Sequence, residues 1–280
     1  MLHKKNSTIT TAHFKTTMHS PLSVISPKAK IGKDVIIGPF CFIHDDVEIG
    51  DGCNLHANIV IYDGARIGKN NTFFPGAIIS AVPQDLKYKG EPTETVIGDN
   101  NIIREYVTIN KGTVAAGKTE IGNGNLIMAY VHVAHDCIIG NSCILANGVT
   151  LAGHILIDDF AIIGGLSAVH QFVHVGSHVM ISGGSLVRKD VPPFTKSAHE
   201  PLAYVGLNSI GLRRRGFTSD QINNVQEIYR LLFVNGHTTA KAVKLIEESI
   251  ATCEERDLIL NFVKASQRGL MKGYAGDAEE

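Results

Sequence analysis

The chain has 280 residues, 44% of them hydrophobic and 19% charged, enough to bury a sizeable core in one large domain and leave room for a smaller one. That composition excludes an intrinsically disordered or collagen-like chain. Twenty-six basic residues stand against 27 acidic ones, a formal net charge of -1, so neither nucleic acid nor an anionic membrane is an expected partner. No apolar run approaches the ~20 residues needed to cross a bilayer, and integral membrane association is not expected.

Residues 1–20 carry Lys4, Lys5 and Lys15 but no apolar core, so they read as an N-terminal extension rather than a secretory leader, with Met18 as a second candidate start. The five cysteines, Cys41, Cys53, Cys137, Cys143 and Cys253, are an odd number, which argues against a disulfide framework and for a reducing, cytoplasmic location.

Aromatic residues make up only 6% of the chain, beside 28 glycines, a composition that calls for a search for repeats. From Ile25 an aliphatic or aromatic residue recurs every sixth position through Ile79. The same step runs from Ile97 to Ile109 and from Ile121 to Val187, giving twenty-five hexads. The residue after the aliphatic is repeatedly glycine (Gly32, Gly38, Gly50, Gly68, Gly98, Gly122, Gly140, Gly164, Gly176), as expected where a chain turns through positive φ. Cys41, Cys53, Cys137 and Cys143 all fall four residues after an aliphatic and read as small buried fillers.

A strict period of six does not fit an α-helix, whereas short strands joined by corners, each pointing one aliphatic inward, satisfy it. The reading for residues 21–192 is a parallel β-helix. The pattern resembles the left-handed β-helix of the hexapeptide-repeat transferases, in which three hexads make one triangular coil. It implies about eight coils and, at roughly 4.8 Å per coil, a prism about 40 Å long. Two segments leave the register, residues 80–96 with Gln84-Asp85-Leu86-Lys87-Tyr88, and residues 115–120. Loops expelled from a rigid repeat commonly carry binding residues.

After Pro192-Pro193 the period changes, and residues 193–280 read as a small α-helical C-terminal domain. Ser219 is placed to cap a helix with Ile222, Val225, Ile228 and Leu232 on one face. Thr238 or Thr239 opens a second with Val243 and Ile246, and a third carries Leu258, Phe262 and Val263. The transferase resemblance implies a homotrimer that covers the prism's exposed aliphatics.

An eighteen-residue coil stacks His135, the pair Gly153-His154 and the pair His170-Gln171 on three successive coils, with His132 close by. Three readings of that column compete: a solvated polar stack without function, a metal site of neighbouring imidazoles, or a general base with Asp136 orienting it. Spacing does not choose between metal and base.

Five motifs in order carry a closer resemblance: Val131-His132-Val133-Ala134-His135-Asp136-Cys137, Leu151-Ala152-Gly153-His154, Ala168-Val169-His170-Gln171-Phe172, the loop Gln84 to Tyr88, and Gly211-Leu212-Arg213-Arg214-Arg215-Gly216-Phe217. Together they resemble the UDP-N-acetylglucosamine O-acyltransferases, over roughly residues 20–270. The resemblance implies transfer of an (R)-3-hydroxyacyl chain from acyl carrier protein to the 3-position of UDP-N-acetylglucosamine, the first step of lipid A synthesis, by direct attack. It implies His135 as base, Asp136 as its partner and the Gly153 N–H as oxyanion donor. Asp85, Lys87, His132, His154, His170, Gln171, Asn208, Arg214 and Arg215 are implied substrate contacts, and Gly183 the residue that limits acyl length, open here to a long chain.

Arg213, Arg214 and Arg215, with Lys196, are also candidates to meet the acidic carrier; the competing reading is a solvated basic cluster at a helix start. No cofactor is implied on the enzyme, since the phosphopantetheine belongs to the carrier protein. The rival functions are a zinc carbonic anhydrase of the same fold, the sister N-acyltransferase acting later in the same pathway, and a structural or ice-binding β-helix; within the O-acyltransferase reading the acceptor is a 3-hydroxyl or a 3-amino analogue. The structural β-helix is disfavoured by the lack of a regular threonine ladder.

Overall fold

The computed structural model describes residues 19–273; the extension through Met18 and the last seven residues lie outside the described part. Twenty-five short strands, from Val24–Ile25 to Leu186–Val187, coincide with the twenty-five hexads. They stack in parallel as three sides of a prism. The first side runs from Val24–Ile25 to Leu186–Val187, the second from Lys30–Ile31 to His174–Val175, and the third from Ile36–Ile37 through Met180–Ile181. Register is one coil per step, as in Val133 beside Leu151 beside Val169 beside Val187.

Every repeated aliphatic from Ile37 onward is buried in a single core; Ile25 and Ile31, in the first coil, are half-buried. Each such side chain removed from water contributes about 1.5–3 kcal/mol. Cys41, Cys53, Cys137 and Cys143 are buried and unpaired, and their thiols donate to main-chain carbonyls such as His56 and Ala152. Burial pushes the Cys137 and Cys143 thiols up to about 12, so they pack as fillers and are poor nucleophiles. The same hexad position also holds Asn71, Asn101 and Asn125, each amide oxygen taking a main-chain N–H in the next coil.

The glycines after the aliphatics are not where the chain turns left-handed. Positive φ falls two residues later, at Asp34, Phe40, Asn70, Tyr130, Asp136, His154 and Leu166 among others. Close approach explains the glycines instead: a Cβ on Gly50 would lie 2.6 Å from the Gly68 carbonyl oxygen, and one on Gly122 2.6 Å from that of Gly140.

Both loops leave the prism at one corner, between the first and second sides. The first connects Ile78–Ala81 to Glu94–Ile97, and the second connects Thr108–Asn110 to Lys118–Ile121, so it is centred earlier than residues 115–120.

The segment after residue 192, expected to be helical, begins with two antiparallel strands, Thr195–Ala198 and Ala203–Leu207, which extend the third side. A short helix α1, Ser209–Arg214, follows, then α2 (Ser219–Tyr229), a π-helical turn (Arg230–Val234), α3 (Thr239–Ser249) and α4 (Glu254–Ala265). Thr218, not Ser219, caps α2, in a reciprocal capping box with Gln221; Thr238 caps α3. Ile222, Val225, Ile228 and Leu232 are buried as expected, while Leu258 faces outward and Ile259 and Leu260 take its place in the helical core. Tyr204 and Phe233 pack against both cores and tie the helices to the prism.

Candidate active site

The corner that expels both loops also carries the histidine column. His135 and Asp136 are 5% and 4% exposed, because the loops fold back over them. His135 Nδ1 lies 2.7 Å from Asp136 Oδ2, which assigns the ring proton to Nδ1 and leaves Nε2 as the acceptor. Thr113, in the second loop, donates its N–H to Asp136 Oδ1 at 2.8 Å and its hydroxyl to Oδ2 at 2.6 Å. The Asp136 N–H donates to Thr119 Oγ1. Burial pushes the Asp136 carboxyl upward, but the bonds from Thr113 and His135 outweigh it and hold the group below the usual aspartate range. Asp136 is therefore an anion fixed against His135.

His154 continues the column, its ring edge-on to His135 at 5.1 Å and stacked on Phe172 at 4.6 Å. Its Nε2 is 3.7 Å from Asp136 Oδ2. Asp136, His154 and Phe172 all occupy the left-handed region, with φ of 59°, 60° and 63°, a conformation disfavoured for side-chain-bearing residues but imposed by the coil. Gly153 sits under the His135 ring, where a Cβ would meet Cε1 at 2.5 Å. Glycine is thus required there by contact, and among the described residues no carbonyl of the coil ladder takes its N–H.

Asp85, from the first loop, approaches His135 Nε2 at 4.0 Å. Lys87 is exposed on the same loop, its N–H bonded to Asp85 Oδ1. His132 Nδ1 is 2.7 Å from Thr108 Oγ1; burial, and then the proximity of His135, lower its pKa. His170 and Gln171 are exposed one coil beyond His154.

The remaining sequence-predicted residues are not at this corner. Asn208 is buried and caps α1, its side chain donating to the His178 carbonyl. Arg215 reaches the Phe160 carbonyl and lies over the Phe160 ring, at the corner between the second and third sides. Arg213 and Arg214 are in the last turn of α1, not at a helix start, where cations favour the helix dipole. Gly183 is exposed at the third corner, past Ile181. One chain thus carries its candidate site residues on three different corners.

His135, Asp136 and His154 place one donor atom each within 4.8 Å of one another. Asp136 is committed to three hydrogen bonds and His135 Nδ1 to Asp136, an arrangement that suits a base held by a carboxylate better than a zinc site with free donors.

The model of UDP-N-acetylglucosamine O-acyltransferase domain 2 matches residues 190–271, and that of the bacterial transferase hexapeptide repeats matches residues 28–58 and 118–153. The acyl-[acyl-carrier-protein]--UDP-N-acetylglucosamine O-acyltransferase of Chlorobaculum parvum is 54% identical over 253 residues, 89% of this chain and 95% of that protein. The chain belongs to the UDP-N-acetylglucosamine O-acyltransferase family. The crystal structure of the family member from Bacteroides fragilis superimposes with a TM-score of 0.90 at 50% identity, covering 91% of this chain and 100% of that one. The family member from Arabidopsis gives 0.80 at 35% identity, with the same 91% and 100% coverage.

Three residues that hydrogen-bond to the candidate site in this O-acyltransferase family member escaped the sequence reading: Thr113 and Thr119, on Asp136, and Thr108, on His132. The inserted loops shift the eighteen-residue offset, so that His132 pairs with Thr108, 24 residues earlier, and Thr113 belongs to no hexad. Only the length of the insertion signalled them.

Proposed function

We propose that His135 is the general base of an acyltransferase that moves an (R)-3-hydroxyacyl chain from acyl carrier protein to the 3-hydroxyl of UDP-N-acetylglucosamine. The chain is an acyltransferase of lipid A synthesis by its family. The observation that carries the assignment of the base is the His135–Asp136 pair, locked by Thr113 and packed against Gly153, whose N–H no coil carbonyl takes among the described residues.

His135 Nε2 takes the proton of the sugar 3-hydroxyl as its oxygen forms a bond to the thioester carbonyl carbon. The negative charge that develops on the carbonyl oxygen is met by the Gly153 N–H. Collapse breaks the carbon–sulfur bond, and the imidazolium returns the proton to the leaving thiolate. Asp136 stabilises the charged ring between the two transfers. No acyl-enzyme and no cofactor on the enzyme are required; the phosphopantetheine arrives on the carrier. Asp85, Lys87, His132, His154, His170 and Gln171 surround the acceptor and the acyl group, while Asn208, Arg214 and Arg215 offer donors to a diphosphate.

We further propose a homotrimer that brings the three corners together. The outward residues of the third side form an apolar ladder, Ile102, Leu126, Ile144, Ile162 and Met180 in register. The second side presents charge over its early coils, Lys30, Glu48 and Arg66, with Glu120 further along. Water suits the early coils of the second side, whose later coils expose Ile138 and Leu156, and a neighbouring chain suits the third. The third side is bounded by the Arg215 corner and the Gly183 corner, so a neighbour's His135 corner laid against it assembles base, diphosphate donors and acyl slot. Gly183, without a side chain, leaves that slot open to a long acyl chain. No helix among the described residues is long and apolar enough to span a membrane, and the unpaired cysteines suit a cytoplasmic setting.

The test is incubation of the protein with UDP-N-acetylglucosamine and (R)-3-hydroxyacyl carrier proteins of graded length, with products identified by mass spectrometry. A 3-O-acylated nucleotide sugar, formed fastest with long chains, is expected. Turnover only with a 3-amino acceptor would overturn the assignment.

A further inference from the structure

The corner between the second and third sides carries a column of rings in its last coils. Phe160, His178 and Phe194 each lie three residues past a member of the ladder Ile157, Val175 and Val191. All three occupy the left-handed region, with φ of 62°, 59° and 66°. Their rings stack, Phe160 on His178 at 4.8 Å and His178 on Phe194 at 5.6 Å. Phe217 closes the column, edge-on to both His178 and Phe194.

The carbonyls of the same three residues hold α1 by its two ends. The Phe194 carbonyl accepts the Asn208 N–H at 2.9 Å, and the His178 carbonyl accepts the Asn208 side-chain amide at 3.0 Å. The Phe160 carbonyl accepts Arg215 Nη2 at 3.3 Å, and the guanidinium lies over the Phe160 ring, 5.3 Å from its centre. Asn208 is the N-cap of α1 and Arg215 its C-cap. A helix of six residues is too short to hold its own shape or direction. The column therefore decides where both ends of α1 point, and Phe160 is the member that touches Arg215.

We infer that Phe160 is a positioning residue for the nucleotide substrate: its ring and carbonyl, backed by His178 and Phe194, hold the Arg215 guanidinium in place before a diphosphate arrives. The inference rests on the proposed reading of Arg215 as a diphosphate donor. An arginine side chain has several rotatable bonds, and ordering it on binding opposes affinity. A guanidinium already laid on an aromatic face and bonded through Nη2 meets the ligand with that freedom removed. Phe160 itself need not touch the substrate, so its effect passes through Arg215.

The test is a double-mutant cycle of the parent, Phe160→Leu, Arg215→Ala and the double variant, read by steady-state kinetics in UDP-N-acetylglucosamine at saturating acyl carrier donor. Leucine keeps the Phe160 carbonyl and suits the backbone, since Leu166 takes φ of 58° at another corner of the prism. Phe160→Leu should raise KM for the nucleotide sugar about fivefold or more, with kcat within about twofold of the parent's. Phe160→Tyr, which keeps the ring, should restore KM. In the Arg215→Ala background Phe160→Leu should raise KM no further, because the group it positions is gone; a general disturbance of the corner would add instead. An unchanged KM in Phe160→Leu, a loss confined to kcat, or additive effects in the cycle would overturn the inference. Arg215→Ala with the parent's KM is a separate failure: it removes the diphosphate reading, and the positioning role with it.

Discussion

Asp136 stays ionised at 4% exposure because Thr113 supplies two donors and His135 a third. Thr113→Val deletes the hydroxyl bond and keeps the main-chain one. The carboxylate, with one donor fewer, binds the imidazolium more strongly, so the acid limb of the kcat/KM profile should move to higher pH. The rate should fall about tenfold, and Thr113→Ser should restore both. A profile unmoved by Thr113→Val would show that the hydroxyl does not act through the dyad. His178 offers a second residue-scale test. Burial, and then Arg215, lower its pKa to about 4, so it folds as the neutral ring. Its contribution to stability is complete above the unfolded value near 6.5 and is lost as pH falls through about 4. His178→Phe, which retains the stack between Phe160 and Phe194, should flatten the decline of the urea midpoint across that window.

At the scale of the repeat, two kinds of glycine make opposite predictions. Gly122→Ala places a methyl 2.6 Å from the Gly140 carbonyl oxygen and should cost about 1–3 kcal/mol in denaturant unfolding. Gly124 has φ of 65° and meets nothing nearer than 3.7 Å, so Gly124→Asn should stay within about 0.5 kcal/mol of the parent. The hexad was legible because one inward aliphatic per side is an unbroken physical requirement; the reason for its glycines was not, since close approach between coils appears only once the coils are stacked. The same limit explains the site. His135, Gly153, His154 and Gln171 share an eighteen-residue offset and could be aligned from sequence, whereas Thr113 and Asp85 reach the corner through loops whose path no period describes. Leu258 was misplaced because α4 offers apolar residues on two adjoining faces and packing against Ile228 and Tyr229's core selects Ile259 and Leu260.

For the whole molecule, the division of candidate residues among three corners ties the proposed chemistry to the proposed assembly. Ile162→Glu, on the apolar ladder and far from His135 in its own chain, should dissociate the proposed trimer in sedimentation velocity and abolish activity together; a monomer with full turnover would contradict the proposed shared site. Within that assembly, the proton of the acceptor hydroxyl is proposed to pass to His135. The most direct measurement is the single-turnover rate of nucleotide-sugar acylation by His135→Ala beside the parent, with the affinity for UDP-N-acetylglucosamine and the thermal midpoint measured on the same samples. A fall of about a thousandfold or more, with affinity and midpoint close to the parent's, is the predicted result. A rate within about tenfold of the parent's would contradict it, since a lost general base ordinarily costs 100-fold or more.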